Sequence, residues 1–237
     1  MPPDSAQPAS GPQSAAGRRV EPGAGAGTEA QTGTELGIAR AVALFERMDP
    51  AQAVAALEPV LAADPSSVEG WNLMARLRLA LDENAVALDA ATKAVALDPE
   101  NARALATASR ALSQMGRHDE AVTMAYRAVV VEPVNPQWHD RVAWALLAAD
   151  RGFADAEQAA RTAIGLDPNE PHYYFTHGVA LESLGHLDQA RQALLTSLRM
   201  NPENSVAQHR LAVLNGEATR DPEPKKRGFK LFGRKKG

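Results

Sequence analysis

The stretch ALDPENARALATASRALSQMGRHDEAVTMAYRAVVVEP, residues 96–133, begins and ends on one phrase: an apolar pair, an acidic residue and proline. Close versions recur on either side, as AADP at Pro65, ALDP at Pro99, VVEP at Pro133, GLDP at Pro168 and RMNP at Pro202, at intervals of 34, 34, 35 and 34 residues. A fixed period of this length marks one supersecondary unit repeated along the chain. Small residues keep the same period. Twelve positions before each proline stand Ala53, Ala87, Ala121, Ala156 and Ala190, and five before stand Val60, Ala94, Ala128, Ala163 and Ser197. Ala41, Ala75, Ser109, Ala143 and Gly178 make a third row, which is in step once one inserted residue near Gly152 is allowed for. Two antiparallel helices approach closely only where side chains are small, so these rows mark helix crossings. Leu44, Trp71, Met74, Leu112, Val142, Leu146, Tyr174 and Leu181 fill the space between them.

Each unit therefore reads as helix, turn, helix. The turns are RMDPAQ, LDENAV, MGRHDE, DRGFAD and LGHLDQ, where Gly or Asp supplies the break and an acidic residue often opens the second helix, which suits its dipole. Asp49 is expected to cap the first of these second helices, with Pro50 at its first position. The recurring proline stops each second helix. After Pro202, SVAQHRLAVLNG reads as a last, covering helix with Ser205 as N-cap and Asn215-Gly216 as a left-handed stop.

The 34-residue unit, with Trp71 near its start, Ala87 and Ala94 in its second helix and Pro99 at its end, resembles a tetratricopeptide repeat (TPR). That resemblance implies an all-α, right-handed superhelical solenoid of antiparallel helix pairs over residues 34–215. Its units are 34–67, 68–101, 102–135, 136–170 and 171–204, and its capping helix is 205–215. Unit 34–67 is degenerate: Gly37 stands where a large residue is usual, Val60 replaces a small one, and Pro59 should interrupt and kink its second helix.

Outside the repeats, residues 1–33 are rich in Pro, Ala, Gly, Ser and Gln and are expected to form a disordered arm or spacer. Residues 216–224 read as a polar linker and 225–237 as a basic tail. The chain has a net charge of -4, with 25 basic and 29 acidic residues. Seven of the basic ones (Lys225, Lys226, Arg227, Lys230, Arg234, Lys235 and Lys236) lie in that tail, so the remainder carries about −11. Without Cys there is no disulfide or thiolate chemistry, which fits a reducing compartment. No signal-peptide-like or membrane-spanning apolar run appears, so the expected location is the cytoplasm.

No phosphate-cradling GxxxxGK[ST], HExxH, GxSxG or EF-hand pattern is present. His118, His139, His172, His177, His186 and His209 are scattered. His172 and His177, five apart, do not share a helical face well enough to hold one metal. No cofactor, metal or catalytic residue is expected. With the repeats occupying the ordered length, the chain reads as a non-catalytic scaffold that binds a protein or peptide on its concave face.

In proteins that the chain resembles, the first helix of each pair lines that groove. The matching positions are Asn72 and Arg76; Arg103, Ala106 and Arg110; Asp140 and Trp144; and Phe175, Val179 and Glu182. Arg76 and Arg110 lie one repeat apart in the same row and are expected to engage an acidic or carboxylate-bearing segment, while Trp144 and Phe175 take its apolar side chains. The bland alternative is solvated arginines and core aromatics. The Lys, Asn and Arg clamp that holds chaperone C-termini in this family is incomplete, because Arg76 stands where its Asn is expected, so chaperone tails are not the expected ligand.

In the tail, Phe229, Leu231 and Phe232 fall on one side of a helix and Lys226, Arg227, Lys230 and Arg234 on the other. KKRGFKLFG resembles the C-terminal amphipathic membrane-targeting sequence of the MinD division-site ATPases, which implies reversible attachment to the inner face of the cytoplasmic membrane. The competing receivers are nucleic acid, an acidic protein, or none, the tail then being a solubilising basic end. A body near −11 disfavours nucleic acid.

Overall fold

The computed structural model describes residues 24–218, and every regular element in them is an α-helix. Eleven helices follow in order: α1 (Ala24–Glu46), α2 (Pro50–Ala63), α3 (Val68–Ala80), α4 (Asn84–Leu97), α5 (Ala102–Gln114), α6 (His118–Val131), α7 (Pro136–Ala148), α8 (Phe153–Leu166), α9 (Pro171–Ser183), α10 (Leu187–Met200) and α11 (Ser205–Leu214). They form five antiparallel pairs and a closing helix. The arm up to residue 23, the end of the linker and the whole basic tail lie outside the described residues.

The three rows of small residues sit where the helices cross. Every alanine in them is fully buried, as are Ser109 and Ser197. Ser197 also donates to the Pro171 carbonyl (2.8 Å), tying α10 to the start of α9. The degenerate first unit explains itself at the same crossing. A Cβ on Gly37 would lie 2.3 Å from Val60 Cγ2, so the missing large residue of α1 and the extra bulk of α2 are one exchange of volume.

Two expectations need correction. First, α1 begins at Ala24, so the last ten residues of the proposed arm are helical. Ala24, Glu29, Ala30 and Gln31 are strong helix formers, and extending a helix already nucleated by packing costs little, which outweighs the glycines. Second, α2 continues through Pro59 to Ala63. Pro59 faces solvent while Leu57 and Leu61 are buried on either side of it, so packing holds the helix across the missing donor.

Capping follows a rule not drawn from the sequence. The residue two beyond each recurring proline is the N-cap of the next helix: Ser67, Asn101, Asn135, Glu170 and Asn204 each accept a backbone N–H of the first turn. The cap of α11 is therefore Asn204, bonded to Ala207 N at 3.1 Å, and not Ser205. Asp49 caps α2 as expected, bonding Gln52 N at 3.0 Å. Proline carbonyls are caught as well. Trp71 Nε1 donates to Pro65 O (2.8 Å) and Gln208 Nε2 to Pro202 O (2.7 Å), each from six residues downstream.

Within the pairs, the turns share one left-handed residue: Met48, Asp82, Gly116, Asp150 and Gly185. The fourth turn is one residue longer and absorbs it at Gly152, also left-handed, which precedes α8.

Consecutive helices pack throughout. In addition α1 touches α3, α3 touches α5, α5 touches α7 and α7 touches α9, whereas the even-numbered helices, among the described residues, have no comparable mutual contacts. The odd-numbered helices thus form the inside of the curve, and the predicted groove residues stand on them.

Candidate groove on the odd-numbered helices

Near its N-terminal end this surface opens into a cleft of about 350 Å³ between α1, α3 and the start of α5. Ile38, Val42 and Val68 supply apolar wall, and Asn72, Arg76 and Arg103 supply the polar groups. Three of the expected residues are therefore brought together.

Asn72 is only 7% exposed. Its Nδ2 donates to Asn101 Oδ1 at 3.0 Å. Asn101 is the cap of α5, so the same Oδ1 already accepts Ala104 N (3.0 Å), and its own Nδ2 donates to Asp98 Oδ2 (3.0 Å). The chain of donors leaves no choice of orientation. Asn101 offers an acceptor, Asn72 must donate to it, and Asn72 Oδ1 points elsewhere without a partner. A buried acceptor left unmatched costs about 1–3 kcal/mol, and this one lies at the wall of the cleft.

Beside it, the Arg76 guanidinium lies 5.6 Å from the Phe45 ring centroid. Burial, and then the neighbouring Arg103, pull its pKa below the ordinary value. Neither arginine forms an ion pair with a carboxylate among the described residues. Two like charges thus stand on one wall, with Arg76 and Arg103 both reaching solvent.

The cationic character continues along the curve. Burial lowers the pKa of Arg110, with Asp82 opposing. On α7 stands Arg141, which sequence reasoning missed. Burial pulls its guanidinium down to about 10, Asp140 resisting and Arg110 assisting, and its Nε has no partner. The only signal was its place beside Asp140.

Further along, the groove closes. Trp144 is 6% exposed and Phe175 1%, packed with Val179, Leu194 and Ala207. The two aromatics expected to receive apolar side chains of a partner are core, because α11 and α10 seal them. Asp140 is also buried. It accepts Thr176 Oγ1–H at 2.6 Å and lies 3.4 Å from His172 Nε2, while Trp144 Nε1 donates to His172 Nε2 at 3.1 Å. Ala106 is buried too. Glu182 pairs with Arg210 (2.8 Å) and so joins α9 to the closing helix.

A second cleft, of about 640 Å³, lies against α8, α9 and α10. In it Glu157 is shared by His177 (2.7 Å) and Arg161. Burial raises the Glu157 pKa, but those bonds outweigh it and hold the group below its usual range. The cluster is internally matched and ties α8 to α9. No set of three His, Asp or Glu side chains among the described residues could hold a metal ion.

The tetratricopeptide-repeat family model matches residues 38–102, 72–136 and 141–205, which together cover more than half of the chain. The chain belongs to the tetratricopeptide-repeat family. A curated relative is the Protein STIP1 homolog of Dictyostelium discoideum, 32% identical over 98 residues, covering 41% of this chain and 17% of that protein. The chain thus spans about a sixth of that relative's length. Among solved TPR structures, TTC0263 of Thermus thermophilus superposes with a TM-score of 0.67 at 20% identity, covering 77% of this chain and 98% of its own. YrrB, a TPR protein with an unusual peptide-binding site, gives 0.56 at 18% identity, covering 73% and 89%. At these identities the likeness is one of fold. TPR proteins act as protein-interaction scaffolds.

Proposed function

We propose that this chain is a non-catalytic scaffold that receives an extended acidic segment of a protein partner along its odd-numbered helices, entering at the α1–α3–α5 cleft. The observation that carries the reading is the unmatched, buried Asn72 Oδ1 beside Arg76 and Arg103. A backbone N–H of the segment would satisfy that oxygen. A neighbouring carboxylate would lie between the two guanidiniums, and an apolar side chain would cover Ile38 and Val42. Arg110 and Arg141 continue the track for further acidic residues. The peptide-binding site of YrrB, on a similar fold, supports the reading.

The test uses the full chain against an array of acidic peptides and their neutral amide counterparts. Arg76→Glu with Arg103→Glu should weaken retained binding at least tenfold, about 1.4 kcal/mol, and Asn72→Ala should weaken acidic and neutral peptides alike. Unchanged retention by the double variant would remove the proposal.

The reading places the protein in the cytoplasm, held reversibly at the inner face of the membrane by Lys225, Lys226, Arg227, Phe229, Lys230, Leu231, Phe232, Arg234, Lys235 and Lys236. Its support is the tail's amphipathic pattern. No described helix is long and apolar enough to cross a membrane. Each basic side chain near anionic lipid contributes about 1 kcal/mol, and inserted aromatics add to it. Sedimentation with anionic and neutral vesicles should separate the intact chain from one ending at Pro224. Equal pelleting would sink membrane attachment, and retention on single-stranded nucleic acid or an acidic protein would favour a soluble regulator.

A further inference from the structure

The seam between the fourth and fifth units holds one nitrogen with two claimants. His172 Nε2 is 3.1 Å from Trp144 Nε1 and 3.4 Å from Asp140 Oδ2. An indole N–H can only donate, so it requires a lone pair on Nε2 and hence a neutral ring carrying its proton on Nδ1. A carboxylate can only accept, so it requires a proton on Nε2. One nitrogen cannot meet both demands at once. Trp144 and Asp140 are four residues apart on α7 and present both alternatives on the same face. The rest of the setting is stiff. Trp144 and His172 rings stack at 6.0 Å, Thr176 Oγ1 pins Asp140 Oδ1, and Glu170 Oε1 accepts His172 N at 3.0 Å.

We propose that His172 is a proton-operated latch between α7 and α9. Neutral, it accepts the Trp144 N–H. On taking a proton from solvent at Nε2, it releases the indole and donates to the Asp140 carboxylate. The His172 side chain is 33% exposed, so solvent reaches it without unfolding.

The groups acting on the ring are few. From α7 come Asp140 and Arg141, and from the cap of its own helix Glu170. Of the charges on α8, α10 and α11, Glu157 pairs with both Arg161 and His177, Arg191 with Asp188, and Arg210 with Glu182, and none of them is among the groups that shift the His172 ring. Burial lowers the His172 pKa, yet the hydrogen bond and charge of Asp140, with Glu170, outweigh it against Arg141 and leave it raised. The latch therefore closes at a higher pH than an ordinary histidine would take its proton. Closing it adds a positive charge beside Arg141 on the inner face of the solenoid.

Nitrogen-15 labelling of His and Trp in the full chain, followed by NMR from about pH 5 to about pH 9, tests this. The His172 ring should titrate with a midpoint above about 6.5, and the Trp144 indole N–H should move with the same midpoint toward the position of an indole that has lost its acceptor. Asp140→Asn keeps an acceptor for Thr176 and should drop the midpoint below about 6.5, because burial then acts unopposed by that charge. Trp144→Phe, which removes the group demanding a neutral ring, should raise it. A stationary Trp144 signal while His172 titrates, or a midpoint indifferent to Asp140→Asn, would overturn the latch. Should Trp144→Phe loosen the core, the wild-type titration and Asp140→Asn decide the matter.

Discussion

One row of positions on the odd-numbered helices meets two fates. In the N-terminal half it presents Asn72 and Arg76, which line an open cleft. In the C-terminal half its equivalents are Asp140 and Trp144, then Phe175 and Val179, all as buried as Asn72 but with no exposed counterpart of Arg76. Register alone decides that a side chain faces the inside of the curve; what lies opposite decides whether a ligand can reach it. At α1, Ile38 and Val42 wall an open cleft, whereas at the other end α11 lays Ala207 and Leu211 over the aromatic pair. An open cleft and a packed core occupy opposite ends of one surface.

The strongest challenge to that contrast is Phe175→Ala, set against Arg76→Ala. Emptying the Phe175 site should cost about 3–5 kcal/mol in urea unfolding, while Arg76→Ala should stay within about 0.5 kcal/mol and show itself only in partner binding. Comparable losses from both would erase the division between the halves.

The next effect is smaller and lies in the open half. Gly37→Leu should destabilise by about 1–3 kcal/mol through collision with Val60, and adding Val60→Ala should recover most of the loss. Strict additivity in a double-mutant cycle would show that the two positions do not exchange volume.

A third, gentler effect concerns the closed half and acidity. Because His172 has a raised pKa in the folded chain, its contribution is complete below the unfolded value near 6.5 and fades as pH rises through the folded value. The stability gap between the natural chain and Asp140→Asn should therefore be wider at about pH 5.5 than at about pH 8.5, as read by chemical denaturation. A gap that widens toward alkaline pH would contradict the assigned partner.

Much of this molecule is legible from its residues because the repeat reports itself several times over. Five prolines and three rows of small side chains agree, and no single exception can overrule them. The start of α1 is not legible, since composition counts glycines but not the packing that nucleates a helix beside them. Nor is the burial of Trp144 and Phe175, which depends on α11 rather than on their own row. Asn72 can be placed in the groove from its position, yet its orphaned oxygen depends on Asn101, 29 residues later, and on Asp98 behind that. The Pro-plus-two caps are written in the sequence but masked at α11, because Ser205 satisfies the same preference one residue too late. His172 reads as a lone helical histidine, and only distances reveal that two groups compete for it.

The contacts between odd-numbered helices have a mechanical meaning. Among the described residues each seam joins only neighbours in the stack, so the helices form a coil of joined plates with no brace from one end of the stack to the other. Pulled at its termini, such a body lengthens by small rotations at every seam before any helix gives way, and it recoils when released. A partner longer than the resting groove can be met by stretching rather than by remaking the fold, and the stiffness met along the way would be set, at the fourth seam, by a single proton.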